Sequence, residues 1–324
     1  MGEHPHCKCN ISNMYVSGEL QKGFNSIFTL KCKMCAIEVK LTTENEDHQA
    51  TENAIDINHS ATLACISAGI GYSELEEISA AINMPMMAYE TYAANEADVV
   101  AIMCQTAWKT MDEAAVEQAS LARALGEVDS DGIPCITVVT DGAWSKRSYN
   151  VNYDALSGVA CIIGQRTGKL LFLAVRNKYC SICARTVGSK SIPSEHLCFR
   201  NWAGPSTAME TDIIAEGFKR SLDMHGIKYT RMVGDGDSSV YRKLKEVKPY
   251  GNQLVEKVEC RNHLLRNFSS KLRELTKRKR SNSKNVPVAP SVRKVLESNA
   301  QRLRIAVFRA TKFRISETNI LSQK

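Results

Sequence analysis

Apolar and polar positions alternate at two different periods along this chain. From Asn58 to about Ala124 the apolar residues recur at helical spacing. Leu63, Ile66 and Ile70 mark a first helix, capped within Asn58-His59-Ser60 and ending near Gly69-Ile70-Gly71. Ser73 and Glu76 fit a capping box that opens a second helix carrying Leu75, Ile78 and Ile82. Met84-Pro85 breaks the chain before a third helix near Met86. At Pro134 the texture changes to strands. Cys135–Thr140 is apolar on both faces, as a central strand must be, and Asp141-Gly142-Ala143-Trp144-Ser145 reads as its exit loop. Ser157–Gln165 and Lys169–Arg176 follow as strands joined through Gly168.

Ser206-Thr207-Ala208-Met209-Glu210 opens a helix running to about His225. Met209, Ile213, Ile214, Phe218 and Leu222 form its buried stripe, and Gly226 is its stop. Thr207 and Glu210 fit a capping box, which accounts for Glu210; a catalytic role is the alternative. Tyr229–Gly234 is a strand, Ser238–Lys245 a helix and Glu256–Cys260 a short strand; from Leu264 the pattern is helical and basic. This order predicts an α/β fold, a mixed sheet with flanking helices. The expected domains are a cysteine-rich module over 1–40, a linker and helical region over 41–130, and the sheet domain over 131–324.

Cysteine spacing adds metal chemistry. Cys180-x-x-Cys183 and His196-x-Cys198 supply four ligands in two pairs, as a structural zinc site requires. Cys7, Cys9, Cys32 and Cys35 make a zinc-ribbon-like set in which His4 or His6 can substitute; free surface thiols are the alternative. The chain carries 12 cysteines and opens without the basic-then-apolar shape of a secretory signal, which points to ligation or buried thiols in a reducing compartment. No apolar run reaches the roughly 18 residues needed to span a bilayer.

Charge is unevenly placed. The chain carries a net +7, yet residues 1–130 hold 7 basic against 19 acidic groups, and residues 261–324 hold 17 against 3. The basic segment suits a polyanion, and Lys277-Arg278-Lys279-Arg280 reads as a phosphate-contacting or nuclear-localisation run, against the plainer reading of a solvated loop. The helix–turn–helix layout over 58–124 suits a DNA reader, but Glu74, Glu76, Glu77, Glu90 and Glu96 repel phosphate, so a helical connector or oligomerisation unit is the alternative.

Asp141 and Asp235 each follow an apolar strand, and ligands of such sheets collect at strand carboxyl ends. Two carboxylates there make a seat for Mg²⁺ or Mn²⁺. Asp237, two residues on, is expected to cap the next helix.

The motifs Thr140-Asp141-Gly142-Ala143-Trp144-Ser145, Cys180-x-x-Cys183, Gly204-x-Ser206-x-x-Met209-Glu210, Gly234-Asp235-Gly236-Asp237-Ser238-Ser239 and Cys260-x-x-His263, in that order, resemble the Mutator-like transposase domain of animal DNA transposons. The resemblance covers roughly residues 130–275. It implies a ribonuclease H-like fold with an Asp-Asp-Glu metal triad, in which Asp141 is the first acid, Asp235 the second, and Cys260 and His263 the family's extra pair. The family's third acid lies on a helix beyond that pair. Glu317 is the nearest candidate here, and the chain is expected to stop before the triad is complete.

The implied activity is metal-dependent cleavage and strand transfer of transposon-end DNA, with Mg²⁺ or Mn²⁺ as catalytic and Zn²⁺ as structural metal. DNA ends and target are the expected partners, with homo-oligomers on paired ends and a nuclear location. The alternative is a truncated or domesticated fragment that binds DNA, stabilised by zinc, without cutting it.

Overall fold

The structure, a computed structural model, describes residues 10–44, 55–146, 154–189, 192–234, 238–280 and 286–321. The chain divides into two compact units, residues 1–109 and 110–324.

In the first unit, β1 (Met14–Lys22), β2 (Asn25–Cys32) and β3 (Glu38–Thr42) form an antiparallel sheet in sequence order. Gly23 makes the β1–β2 turn at φ +64°, a conformation that glycine adopts without strain. Helix α1 (Ile57–Ala68) begins one step before the expected cap. The Asp56 carboxylate accepts the Asn58 and His59 backbone N–H groups at 2.8 and 2.9 Å. Asn58 is used elsewhere: its side chain accepts the Phe24 N–H at 2.9 Å and donates to the Lys22 carbonyl at 3.1 Å, tying helix to hairpin.

Helix α2 (Tyr72–Ala81) is likewise capped upstream of Ser73. Glu74, not Glu76, reaches back to the Gly71 N–H at 3.0 Å. Helix α3 spans Tyr89–Ala124, so the chain stays extended for a few residues past Met84-Pro85 before it coils. Cys65, Leu75, Met87 and Tyr92 close the small core of this unit.

The second unit is built on a five-stranded mixed sheet in the order β6-β5-β4-β7-β8. Its strands are β4 (Cys135–Trp144), β5 (Ser157–Gly164), β6 (Leu170–Asn177), β7 (Lys228–Gly234) and β8 (Glu256–Glu259). The β4–β5 and β5–β6 pairs are antiparallel, and the β4–β7 and β7–β8 pairs are parallel. Between them lie α4 (Ser181–Ser189), α5 (Met209–His225) and α6 (Ser238–Val247), and after them α7 (Arg261–Lys277) and α8 (Pro290–Leu321).

Strand β4 runs four residues further than its apolar stretch. Antiparallel pairing with β5 carries it through Asp141↔Cys161 to Trp144↔Gly158, whereas its parallel pairing with β7 stops at Val139↔Val233. Asp141 therefore sits within a strand, just past the end of the parallel pair, and not in an exit loop.

One core joins this sheet to its helices. Ile136 and Val138 of β4, Ile162 of β5 and Phe172 of β6 meet Ile213, Ile214 and Phe218 of α5, the alanine face Ala114–Ala122 of α3, and Val240 and Leu244 of α6. Phe218 meets Tyr229 edge to face, with ring centroids 5.3 Å apart. The α5 stripe matches its sequence pattern, and Gly226 ends the helix at φ +63°. Truncating the fully buried ring in Phe218→Ala is expected to cost about 3–5 kcal/mol. Denaturant unfolding followed by tryptophan fluorescence measures it; an unshifted midpoint contradicts this core.

Candidate carboxylate site and candidate zinc centre

The turn that leads into α5 is fastened to the outer end of β4 and β5. Ser206 donates its hydroxyl to the Ala155 carbonyl at 2.7 Å, and its own carbonyl accepts the Trp144 indole N–H at 3.0 Å. Met209 is fully buried against Gly158, where an added Cβ would lie 3.1 Å from the Met209 sulfur. Those three contacts deliver the next residue, Glu210, to β4. A Cβ on Gly142 would fall 2.7 Å from the Glu210 carboxyl carbon and 2.9 Å from Oε2. The Glu210 carboxyl thus lies on the bare backbone of the residue that follows Asp141.

This placement overturns the capping role. Ala208 is the N-cap of α5 and no side-chain hydrogen bond caps the helix, because Ser206–Ala208 is already wound as a 3-10 turn. Arg176 of β6 instead holds the first turns of α5, bonding Asp212 at 2.7 Å and Glu216 at 2.5 Å.

Asp141 is exposed, with Oδ1 accepting the Gly142 N–H at 3.0 Å. Cys161, its partner across β5, reports the local field: burial pushes the thiol up, and the Asp141 and Glu210 carboxylates push it further. On the other side, β7 ends at Gly234 beside the Thr140 side chain. The Cys260 N–H donates to the Gly234 carbonyl at 3.0 Å, making Cys260 the N-cap of α7 and setting His263 in its first turn. Nδ1 of His263 is buried and has no hydrogen-bond partner among the described residues. Asp141, Glu210, Gly234 and the Cys260–His263 pair therefore gather at one end of the sheet.

The second cluster lies in the segment joining β6 to α5. Ligand atoms of Cys180, Cys183, His196 and Cys198 all lie within 4.8 Å of one another. His196 Nε2 is 3.3 Å from the Cys180 sulfur and 3.5 Å from that of Cys183, and the Cys183 and Cys198 sulfurs are 3.6 Å apart. A tetrahedron with zinc–ligand bonds of about 2.0–2.3 Å has edges of about 3.5–3.8 Å, so the set fits zinc. His196 donates Nδ1–H to the Ser194 carbonyl at 2.7 Å, which leaves Nε2 as the ligating nitrogen. The Cys183 backbone N–H lowers the Cys180 thiol to about 6, giving a thiolate at neutral pH. Hydrogen bonding to Cys198 pushes Cys183 up to about 11, and the Ser194 carbonyl raises His196 to about 9. Metal binding must displace those protons.

The Mutator-like transposase family model matches residues 1–322. The chain belongs to the Mutator-like transposase family. No curated protein and no solved structure matches it.

Of the residues singled out in the sequence, Asp235, the expected second acid, Asp237, the expected helix cap, and Cys7 and Cys9 of the zinc-ribbon-like set lie outside the described ones. Glu317 falls within α8, and its side chain lies outside the description. Cys32 is buried at the end of β2, and Cys35 follows in the next turn. In the basic run, Arg278 is bonded to Glu274 at 2.7 Å, while Lys277, Lys279 and Arg280 are exposed. Sequence reasoning missed the company Glu210 keeps. The signal was Gly142, a residue with no Cβ beside an acid.

Two measurements check these sites. Cys183→Ser should remove about one equivalent of zinc by metal analysis and lower the unfolding temperature; unchanged zinc content contradicts the cluster. Gly142→Ala should leave folding nearly intact, since a flexible carboxylate can swing aside, yet displace Glu210 and weaken Mn²⁺ binding at Asp141. Equal Mn²⁺ affinity by titration contradicts the contact.

Proposed function

We propose that this chain is a DNA transposase that cleaves and rejoins phosphodiesters at a carboxylate site formed by Asp141, Glu210 and Asp235. The observation that carries the reading is the Glu210 carboxyl lying on Gly142, next to Asp141. Membership of the Mutator-like transposase family supplies the reaction class. The ribonuclease H-like reading is supported by an antiparallel trio of strands continued by two parallel ones, with a helix across them.

Oxygen donors suit a hard cation, and Asp141 and Glu210 are oxygen donors brought to one place. Asp235 directly follows Gly234, which ends the strand adjacent to β4. When bound there, Mg²⁺ or Mn²⁺ activates an attacking oxygen and stabilises the leaving one. The chain's own residues do the rest. Asp141 is held in the extended backbone of β4 by its pairing with β5. The Trp144–Ser206 and Ser206–Ala155 bonds fix where Glu210 emerges. His263 presents a buried Nδ1 without a hydrogen-bond partner among the described residues, close to the same sheet end and suited to bond a group of the site. In the first reaction water attacks a transposon-end phosphodiester, leaving a free 3′-OH; in the second that 3′-OH attacks target DNA.

On this reading Glu210 supplies the third carboxylate, and cleavage does not wait on an acid beyond His263. The zinc cluster has a structural role, because four protein ligands leave no open position. A nuclear location, through Lys277–Arg280, and assembly on paired DNA ends belong to the same proposal.

Incubation with a terminal-repeat duplex and Mn²⁺ tests it. Nicking should fall by about 10–100-fold or more in both Asp141→Asn and Glu210→Gln, the range seen even for groups that only orient metal ligands. Wild-type rates in Glu210→Gln contradict the assignment, and DNA binding without cutting by the unaltered chain favours the non-catalytic alternative.

A further inference from the structure

Helices α7 and α8 pack side by side and leave between them a groove of about 510 Å³. Asn262, Arg266, Ser270 and Arg273 line it from α7, and Gln301 and Arg304 from α8. Among the described residues no acidic residue lines it, and Arg266, Arg273 and Arg304 are exposed with no ion-pair partner. Three guanidinium groups facing one cleft repel each other until an anion enters, and a guanidinium fork matches a phosphate in two hydrogen bonds.

The spacing points to a chain of phosphates rather than a single one. Asn262, Arg266, Ser270 and Arg273 recur at intervals of three and four, on one face of α7. From Asn262 to Arg273 that face runs about 16 Å at 1.5 Å per residue. At about 3.4 Å of rise per nucleotide on one strand, this covers about four or five phosphates. The groove also starts in the right place. Its first residue, Asn262, lies two positions after Cys260, whose N–H is bonded to Gly234 at the carboxylate end of the sheet.

We propose that the α7–α8 groove seats the phosphate backbone of the DNA strand that runs into the carboxylate site, with Arg266, Arg273 and Arg304 as phosphate contacts. This rests on the transposase reading and extends it to a track leading away from the reacting phosphodiester. The basic run Lys277–Arg280 lies at the far end of α7, so the track continues into it.

Binding of a labelled duplex measured by fluorescence anisotropy, in EDTA and across 50–300 mM salt, separates this proposal from the catalytic one. The triple variant Arg266→Gln/Arg273→Gln/Arg304→Gln should flatten the plot of log affinity against log salt by about 2–3, and weaken binding on the order of 10²-fold at 0.1 M salt. The single variant Arg266→Gln, which removes only one exposed side chain, should flatten it by about 1. Arg242→Gln/Lys243→Gln/Lys245→Gln on α6 removes the same charge away from the groove and should change the slope less. The proposal is overturned if the triple variant keeps the wild-type slope, if the α6 variant matches it, or if the unaltered chain does not bind duplex. It is also overturned if the triple variant dissolves a multimer while binding DNA as before, which would make the groove a protein interface. Loss of binding in the triple variant together with cutting that ignores Asp141→Asn leaves the groove standing and removes the catalytic reading.

Discussion

Everything at the carboxylate end of the sheet depends on the close approach of Glu210 to a backbone with no side chain. With any other residue at position 142, a Cβ would stand within 3 Å of the Glu210 carboxyl group and drive it off β4. The contact is set by a clasp four residues earlier in the chain, at Ser206. Trp144 and Ser206 join across 3.0 Å, Ser206 is tied to Ala155, and Met209 fills the space over Gly158. Two glycines, one on each of two paired strands, thus receive two consecutive residues of α5. Burying Met209 contributes about 1.5–3 kcal/mol toward holding the polar residue beside it in place.

The Cys/His cluster lies in the chain just before the same clasp. After β6 the chain leaves the sheet at Asn177 and returns at Asn201, whose backbone N–H donates to the Asn177 carbonyl at 2.9 Å. The Asn201 side chain also accepts the Asn177 N–H at 2.7 Å and donates to the Val175 carbonyl at 2.9 Å. The loop closed in this way contains all four Cys and His ligands. A metal bound by them would remove conformations from a long excursion whose return segment leads to Ser206 and Glu210. The chain thus keeps its soft Cys and His donors in one loop, apart from the oxygen donors Asp141 and Glu210 at the end of the sheet.

Much of the second unit was legible in the order of residues. The strands from Ser157 onward, the buried stripe of α5 and its glycine stop follow from local pattern, and the gathering of Cys180, Cys183, His196 and Cys198 from spacing. What escaped was set by partners far away in sequence. Strand β4 outruns its apolar stretch because β5 continues to pair with it, so Asp141, a loop residue by local pattern, is a strand residue. Glu210 matched a capping box letter for letter, yet the 3-10 turn before α5 left no cap for it to close. At α1 and α2 the caps moved to Asp56 and Gly71–Glu74, because Asn58 was taken by the hairpin and Glu74 stood at the right turn. Local motifs name the groups that can bond; tertiary packing chooses which do.

The most direct measurement is an Mn²⁺ titration by electron paramagnetic resonance of the unaltered chain beside Glu210→Gln and Asp141→Asn. The account predicts bound Mn²⁺ in the unaltered chain and clearly weaker binding in both variants, with zinc content unchanged in all three. Binding that is lost in Asp141→Asn but identical in Glu210→Gln and the unaltered chain would contradict it.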